Sequence, residues 1–139
     1  HLHYDTIIAK HSITKDNKDY QEVRIRNLCG KLRDIGIYGQ TKQEKRLPIN
    51  YEYLDYPNTI NLLAGLFDAD GCIHFSDKDM TINLTQCNKE ILVQVQKLLR
   101  KLGVFSNIYK KEPGSNPIDR NPYYELRIRD KRSLYNFVD

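Results

Sequence analysis

The spacing of apolar residues predicts an amphipathic helix and a β-hairpin in the second half of the chain. From Lys89 to Leu102 apolar residues recur every three or four positions, which is typical of an amphipathic helix, and Gly103 ends it. Cys72 to Ser76 and Thr81 to Cys87 alternate between the two faces of half-buried strands. Asp77 to Asp79 form a tight turn between them, so we predict a hairpin followed by a helix.

A second helix is predicted immediately before this hairpin. Pro57 and Asn58 are typical of a helix start, and Gly71 is typical of a helix stop. The segment from Leu62 to Phe67 is apolar on every side, so we expect protein to enclose this helix on several sides. Two further strands and a final helix follow Gly103. The predicted order from Asn58 onward is αββαββα, an α+β fold.

Two segments about a hundred residues apart share one pattern. Asp19 to Asn27 and Pro122 to Asp130 both contain Tyr-x-Glu-apolar-Arg-Ile-Arg followed by Asn or Asp. A strand-like run precedes each of them, Thr6 to Lys10 in one case and Asn107 to Lys111 in the other, and a short helical pattern follows. We interpret the segments as two copies of one ββα unit.

The repeat divides the chain into two predicted parts. Residues 1–56 would form a partial first half with two strands, a helix and a linker, and residues 57–139 would form a second half. The linker from Tyr38 to Tyr56 is polar and rich in tyrosine, and it has no sustained period. We therefore expect it to lie on a surface.

Composition narrows the classes to which the protein can belong. The 139 residues are 40% hydrophobic and 29% charged, which excludes a disordered tail and favours one ordinary domain or two small ones. No apolar run approaches the ~18 residues of a membrane span, and the start lacks a signal-peptide pattern. We expect an intracellular protein with no membrane partner, in an organelle, the nucleus or the cytoplasm.

The three cysteines include no CxxC pair, so we expect reduced thiols. A net charge of +4 permits a nucleic-acid partner without requiring one.

Two acids occupy the helix end at which carboxylates are least stable. Asp68 and Asp70 lie in the last turn of the helix that precedes the hairpin, where the partial negative charge costs about 0.3–1 kcal/mol for each acid. About 200° of rotation separates the two positions, so they cannot serve one ligand equally. A helix-loop-helix calcium site is disfavoured, because Cys72 to Phe75 replace the oxygen ligands expected there.

A stripe of mostly small residues runs along the same helix. Gly65 costs about 1 kcal/mol relative to alanine in a helix interior, a cost that makes sense where another backbone approaches closely. We therefore expect a second helix to cross here. The stripe consists of Asn61, Gly65, Asp68 and Ala69.

The segment from Leu63 to Gly71 reads LAGLFDADG and resembles the LAGLIDADG signature of homing endonucleases, from which it differs only at Phe67. The order of elements in residues 58–139 resembles the rest of one family half. Thr6 to Ile37 resembles the last strands and helix of a preceding half. That first half lacks its own signature helix, so the chain carries one motif where a complete two-motif enzyme carries two. The connector is of the family's usual kind, with Lys42, Lys45, Arg46, Leu47 and Pro48.

The resemblance implies a metal site at the end of the signature helix. Asp70 would hold the metal, which is Mg²⁺ in this interpretation, with Mn²⁺ as an alternative. The carbonyl of Ala69 would be an extra ligand. Asp68 would brace the helix.

The resemblance also implies supporting catalytic residues. Gln86 would organise the active-site water, and the basic residue before the last helix is either Lys131 or Arg132. We choose Lys131 because it is nearer the strand end, although spacing does not decide between them. As a plain sequence feature, Gln86 is equally a surface amide at a strand end, and Lys131 a solvated lysine.

Strand alternation predicts an apolar and a polar face for the sheet. From Tyr123 to Arg129, Leu126 and Ile128 face one way while Arg127 and Arg129 face the other. The apolar face would pack on helices, and the polar face is suited to the bases and phosphates of a DNA major groove. The predicted DNA-binding residues are Arg24, Arg26, His74, Ser76, Thr81, Asn83, Thr85, Lys110, Lys111, Arg127 and Arg129.

These features predict a site-specific endonuclease that hydrolyses double-stranded DNA with Mg²⁺ at a long recognition site. An RNA-splicing maturase, or a family member that binds DNA or RNA without cutting, is the alternative. A purely structural interaction module is a third hypothesis, and it predicts no affinity for DNA. One motif helix leaves an apolar surface uncovered, so we expect a partner. It would be a second motif-bearing chain or the missing N-terminal portion, with a heterodimer favoured over a homodimer.

Overall fold

A computed structural model describes residues 7–13, 19–25, 27–76, 79–112 and 122–138, with side chains from residue 27 onward. The chain divides into two compact units, His1–Tyr38 and Gly39–Asp139. Each unit combines antiparallel strands with helix, which confirms the predicted α+β class. None of the helices within the described ranges is long and apolar enough to cross a membrane.

The first unit contains the predicted two strands and helix. Strand β1 (Ile7–Ile13) pairs with strand β2 (Asp19–Ile25) in antiparallel register, with Ile7 opposite Ile25. Helix α1 (Leu28–Asp34) follows, and the left-handed backbone of Asn27 precedes it.

The second unit has the predicted order αββαββα. Its strands form one antiparallel sheet in the order β3-β4-β6-β5, so β3 and β5 are the edges. Each strand of the first hairpin begins and ends one residue earlier than predicted. The elements are α2 (Tyr56–Asp70), β3 (Gly71–Phe75), β4 (Met80–Gln86), α3 (Lys89–Lys101), β5 (Asn107–Lys111), β6 (Tyr123–Ile128) and α4 (Lys131–Val138).

The core lies between helix α3 and one face of this sheet. The apolar stripe of α3 is buried, as its spacing predicted, and it packs with the inward residues of β4 and β6. Leu84 and Leu126, which are opposite each other in the β4–β6 pair, are among the least exposed residues. Burial of such side chains contributes about 1.5–3 kcal/mol each. The core is completed by Leu47, Tyr51, Leu63, Val104 and Leu134.

The compact units do not divide at residue 56, because the segment before that residue packs with the second unit. The structure divides the chain after Tyr38. Leu47 and Tyr51 are buried in the core of the second unit, and a 3₁₀ turn spans Tyr51–Tyr53. The expected surface linker is therefore anchored by apolar side chains. Their burial could not be predicted, because the segment has no regular spacing of apolar residues. We call residues 39–55 the connector.

Helix α2 begins with a side-chain cap and is covered on one side. The Asp55 carboxylate accepts a 2.9 Å hydrogen bond from the N–H of Asn58, which satisfies one free donor at the helix start. Leu63 is only 3% exposed, whereas Ile60 is 39% exposed. We expected protein to enclose this helix on several sides, but the described residues cover it on one side only.

Helix α4 closes the end of the core near α2. Asp130 caps it by accepting the N–H of Ser133, and the buried hydroxyl of Ser133 accepts the N–H of Phe105 at 2.8 Å. Phe137 packs edge-to-face on Phe67 with ring centroids 4.7 Å apart.

Candidate active site and nucleic-acid interface

The junction between α2 and β3 fixes the position of Asp70. Strand β3 begins at Gly71, so the chain leaves the helix without a loop, and the Gly71 N–H donates to the carbonyl of Phe67. A Cβ at position 71 would lie 3.0 Å from the Cα of Phe67 and closer still to its carbonyl oxygen. Glycine is therefore required at this abrupt junction, which places Asp70 at the edge of the sheet.

Gln86 and Asp70 are in direct contact. Gln86 is the last residue of β4, and its Nε2 donates a 2.7 Å hydrogen bond to Oδ2 of Asp70. The glutamine is 7% exposed, whereas the aspartate is exposed. Among the described residues, Oδ1 of Asp70 has no hydrogen-bond partner. The buried amide thus holds one carboxylate oxygen and leaves the other available to a ligand.

The connector brings two lysines to the same place. An open depression beside Asp70 is lined by Lys42 and Lys45 together with Thr85, Gln86 and Cys87. Carboxylates at this negative helix end are stabilised by nearby positive charge, and these lysines supply it.

Hydrogen bonds to helix α3 and to its N-cap residue Asn88 hold the connector in position. Asn88 donates from Nδ2 to the carbonyls of Gln43 and Lys45, at 2.6 and 3.0 Å. The N–H of Leu47 donates to Oε1 of Gln94 at 2.7 Å. These partners are more than forty residues apart in sequence. The position of Lys42 and Lys45 beside Asp70 could therefore not be predicted from local sequence patterns.

The structure does not bring Lys131 or the alternative Arg132 to Asp70. Strands β4 and β6 are antiparallel, so Ile128 at the end of β6 pairs with Ile82. That position is four residues along β4 from Gln86, or about 13 Å at ~3.3 Å per residue. Lys131 lies beyond it and lines a separate cavity with Asp79, Met80, Arg129, Leu134, Tyr135 and Val138. This placement does not support a role for Lys131 beside Asp70, because the direction of β6 carries the chain away from Gln86.

The oxygen atoms at the end of α2 fit one side of a Mg²⁺ or Mn²⁺ site. Mg²⁺ in such sites takes one or two carboxylates, with waters and substrate phosphates as further ligands. Asp70 offers a free carboxylate oxygen, and the carbonyl of Ala69 lies in the last turn, where carbonyls lack intrahelical partners. In the described ranges no group of three or more His, Cys, Asp or Glu could hold a metal. These residues therefore fit a site shared with further oxygen ligands.

The polar face of the sheet carries a second depression. In the register of the sheet, Cys72, Asn83, Arg127 and Asn107 lie in one row, and their side chains share the face opposite the core. This depression, which we call the outer depression, is lined by His74, Thr81, Asn83, Glu125, Arg127 and Arg129. Five of the predicted DNA-binding residues are therefore close together.

Glu125 and Arg127 form the strongest ion pair of this face. Arg127 donates from Nε and Nη2 to the two oxygens of Glu125, at 3.0 and 2.9 Å. These hydrogen bonds lower the pKa of the Glu125 carboxyl, against the effect of burial, and they raise the pKa of Arg127. Lys111 lies 3.8 Å from the same carboxylate. Strand alternation predicts Glu125 on the same face as Arg127 and Arg129, but the burial of this acid was not predicted from sequence.

Several predicted DNA-binding residues lie elsewhere. Lys110 is opposite Tyr124, so it lies on the other face of the sheet from Lys111, and it pairs with Glu112 at 2.7 Å. Ser76 closes the hairpin through its bonds to Asp79. Thr85 lines the depression at Asp70. Arg24 belongs to strand β2 of the first unit, of which only the backbone is described, and Arg26 lies outside the described residues.

The small-residue stripe of α2 is open in this chain. Asn61, Gly65, Asp68 and Ala69 are all exposed. A Cβ added at Gly65 would meet nothing within 4 Å. The described residues therefore give no reason for glycine at this position, and close contact with a helix from outside them remains our expectation.

Comparison with known proteins gives a family match over more than half of the chain. A family model described as the LAGLIDADG-like domain matches residues 58–139. This range contains α2, the four-stranded sheet, α3 and α4, and therefore both Asp70 and the outer depression.

The curated relatives are much longer proteins. Ribonucleoside-diphosphate reductase NrdEB subunit alpha of Bacillus subtilis (strain 168) is 31% identical over 120 residues, which covers 77% of this chain and 11% of that protein. The subunit of the same name from Bacillus phage SPbeta gives the same values. ATP-dependent DNA helicase Hel308 of Methanocaldococcus jannaschii is 33% identical over 85 residues, covering 56% of this chain and 7% of the helicase. The chain spans about a tenth of the length of these relatives.

Proposed function

The chain belongs to the LAGLIDADG family of homing endonucleases and maturases, and we propose that it supplies one half of a metal-dependent endonuclease that cuts double-stranded DNA at a long, specific site. The observation that carries this proposal is the carboxylate of Asp70, which Gln86 holds at one oxygen while the other has no partner among the described residues. The two lysines beside it and the polar face of the sheet add the charge and the surface that a DNA substrate requires.

In the proposed reaction Asp70 is the metal ligand, and the carbonyl of Ala69 is a further oxygen ligand. The bound Mg²⁺ or Mn²⁺ would supply Lewis-acid chemistry that lowers the pKa of the attacking water. Gln86 fixes the orientation of the carboxylate through its 2.7 Å hydrogen bond. Asp68 lies on another side of the helix and remains in its proposed bracing role.

We assign the basic role near the phosphate to the connector lysines instead of Lys131. Negative charge grows on the phosphate oxygens during hydrolysis, and an ammonium group positioned beforehand stabilises that charge. Lys45 is the better candidate of the two, because its carbonyl is fixed by Asn88 while Lys42 has no such anchor among the described contacts.

A second motif helix completes the site in this proposal. The open stripe of α2 would pack against that helix, which would bring its own acid beside Asp70. The helix would come from a separate chain or from a preceding part of the same polypeptide. A symmetric pair of identical chains is disfavoured, because it would leave the ββα unit of residues 1–37 redundant.

The relatives favour an element inserted into host proteins. A reductase subunit and a helicase, which have unrelated activities by name, both contain a similar segment that makes up 11% and 7% of their lengths. A segment shared by such different proteins is best explained as a mobile insertion, as in an intein. This observation favours a DNA endonuclease over an intron-splicing maturase, since the segment lies within the protein products.

The experiment that tests the proposal measures substrate choice and metal dependence. The chain, together with a protein carrying a first motif, is incubated with long duplex DNA and with structured RNA of equal length, with Mg²⁺ or with EDTA. We expect nicked or cut DNA only with Mg²⁺ and only with both proteins. Preferential binding to the RNA, or DNA binding without any nicking, would favour the maturase or the cleavage-inactive alternative instead.

A further inference from the structure

The two arginines of the outer depression have different surroundings. Arg127 is 27% exposed at its side chain and forms two hydrogen bonds to Glu125, which is 10% exposed. Arg129 is 56% exposed, and its nearest acid, Asp79, is 61% exposed and 3.8 Å away. An exposed pair at that distance restrains the arginine little. The side chain of Arg127 is thus fixed in one orientation, whereas that of Arg129 can move.

The guanidinium of Arg127 is held by hydrogen bonds along one edge and by an aromatic ring against its flat face. Glu125 occupies the Nε and Nη2 donors, and the guanidinium lies over the ring of Tyr109 with Cζ 5.1 Å from the centroid. A guanidinium has five N–H donors, so three remain for another partner. The long side chain has already lost its rotational freedom in the free protein, which lowers the entropic cost of the next contact.

Glu125 makes this position a poor site for a phosphate. Its charge offsets that of Arg127 at hydrogen-bond distance, so Arg127 itself attracts a phosphate weakly, and the remaining positive charge nearby belongs to Lys111 and Arg129. A base edge has no net charge, and the remaining donors of Arg127 match the O6 and N7 acceptors of guanine in the major groove. The pair therefore favours base recognition over phosphate binding.

Asn83 supplies a second, independent observation. It is opposite Arg127 in the β4–β6 register, it lines the same depression, and it is only 6% exposed. Its Oδ1 has no hydrogen-bond partner in the part of the chain that the structure describes. A buried acceptor without a donor is costly, so the polar network around Arg127 is incomplete until a donor arrives. Amino groups of bases in the major groove are such donors.

We propose that Arg127 recognises a guanine in the major groove of the bound duplex, and that Glu125 is the positioning residue that fixes the orientation of the Arg127 guanidinium for this contact. The inference rests on the proposed function, since it assumes that the sheet binds duplex DNA. In it, Arg129 is the phosphate-contacting residue of the same strand end.

The test is selection from a fully randomised duplex DNA library, followed by measurement of the salt dependence of binding. The proteins are the wild type, Arg127→Lys, Glu125→Gln and the matched control Arg129→Lys, each with its motif-bearing partner. For the wild type we expect a guanine to be enriched at one position. Arg127→Lys keeps the positive charge but loses the paired N–H donors of the guanidinium, so it should reduce the guanine preference about 5- to 150-fold. Arg129→Lys should retain the preference.

Glu125→Gln separates positioning from simple structural support. Removing the acid frees the charge of Arg127, so we expect the slope of log affinity against log salt to steepen by about 0.9 while the guanine preference falls. This variant also decides the matter if Arg127→Lys fails to fold. An unchanged slope and preference in Glu125→Gln, or equal preference in the two lysine variants, would overturn the inference while leaving duplex binding intact. Absence of duplex binding by the wild type would instead overturn the proposed function, and this inference with it.

Discussion

Gln86 donates a 2.7 Å hydrogen bond from Nε2 to Oδ2 of Asp70, and this contact joins the last residue of β4 to the last residue of α2. The amide is buried in the sheet, whereas the carboxylate is exposed at the helix end. The sheet thus acts as the support that orients the proposed metal ligand.

Removing this support should lower activity much more than stability. Gln86→Met keeps the volume of the side chain but loses the donor, and loss of such a supporting bond typically costs 10–100-fold in metal affinity or activity. Cleavage rates and urea unfolding check this expectation. Gln96→Met is the matched control, because it removes an equally short 2.7 Å bond, to the carbonyl of Ser106, at a place remote from Asp70. Equal cleavage by the two variants would remove Gln86 from the site.

The basic residue of the site can be tested by two matched lysine variants. Lys45→Met should reduce cleavage at saturating DNA by about 10²-fold, the effect of losing one preorganised stabilising group. Lys131→Met should change the cleavage rate little, because Lys131 lies beyond the far end of β4. Single-turnover rates provide the comparison. A large loss in Lys131→Met with none in Lys45→Met would restore the assignment made from sequence.

The pairing surface of α2 can be tested at Gly65. The described part of the chain leaves open space around this position, so Gly65→Leu should unfold at the same urea concentration as the wild type or a higher one. The larger side chain should nevertheless prevent the close crossing of a second helix, and formation of the 1:1 complex should be lost in sedimentation experiments. Gly30→Leu is the control, since Gly30 also has open space but lies on α1. An intact, active Gly65→Leu complex would show that α2 is not the pairing surface.

The ion pair of the outer depression predicts how stability depends on pH. Hydrogen bonds from Arg127 hold the pKa of Glu125 below its ordinary value of 4.5. A carboxyl with a lowered pKa in the folded state stabilises the fold above its unfolded pKa, and this stability disappears as pH falls through the folded pKa. The free energy of unfolding should therefore fall more steeply below about pH 4.5 in the wild type than in Glu125→Gln. Parallel urea-unfolding results for the two proteins across this range would count against the pair.

Local patterns were sufficient to predict the order of elements. The apolar spacing of α3 and the alternation of β4 and β6 follow directly from burial on one face, and the structure confirms the elements within one or two residues. Gly71 ends α2 as expected, because the next strand starts without a loop. The same patterns could not show that Leu47 and Tyr51 are buried, since two isolated apolar residues have no period.

The candidate site was predictable only where it depends on neighbours along the chain. Asp70 and Gln86 meet because a single hairpin returns the chain to the end of α2. Lys45 is held near the site by a long-range hydrogen bond from Asn88 to its carbonyl, which no local pattern reveals. The position of Lys131 depends on the direction of β6, which the alternation of residues does not indicate.

The most direct test of the central claim is the single-turnover rate at which the paired protein cleaves duplex DNA with Mg²⁺ when Asp70 is replaced by Asn. Asp34→Asn is the control, because Asp34 is also an exposed acid at the last position of a helix, in α1. We expect Asp70→Asn to bind duplex DNA and to fold normally but not to cleave, while Asp34→Asn cleaves at the wild-type rate. Cleavage by Asp70→Asn at the wild-type rate would show that Asp70 is not the metal ligand.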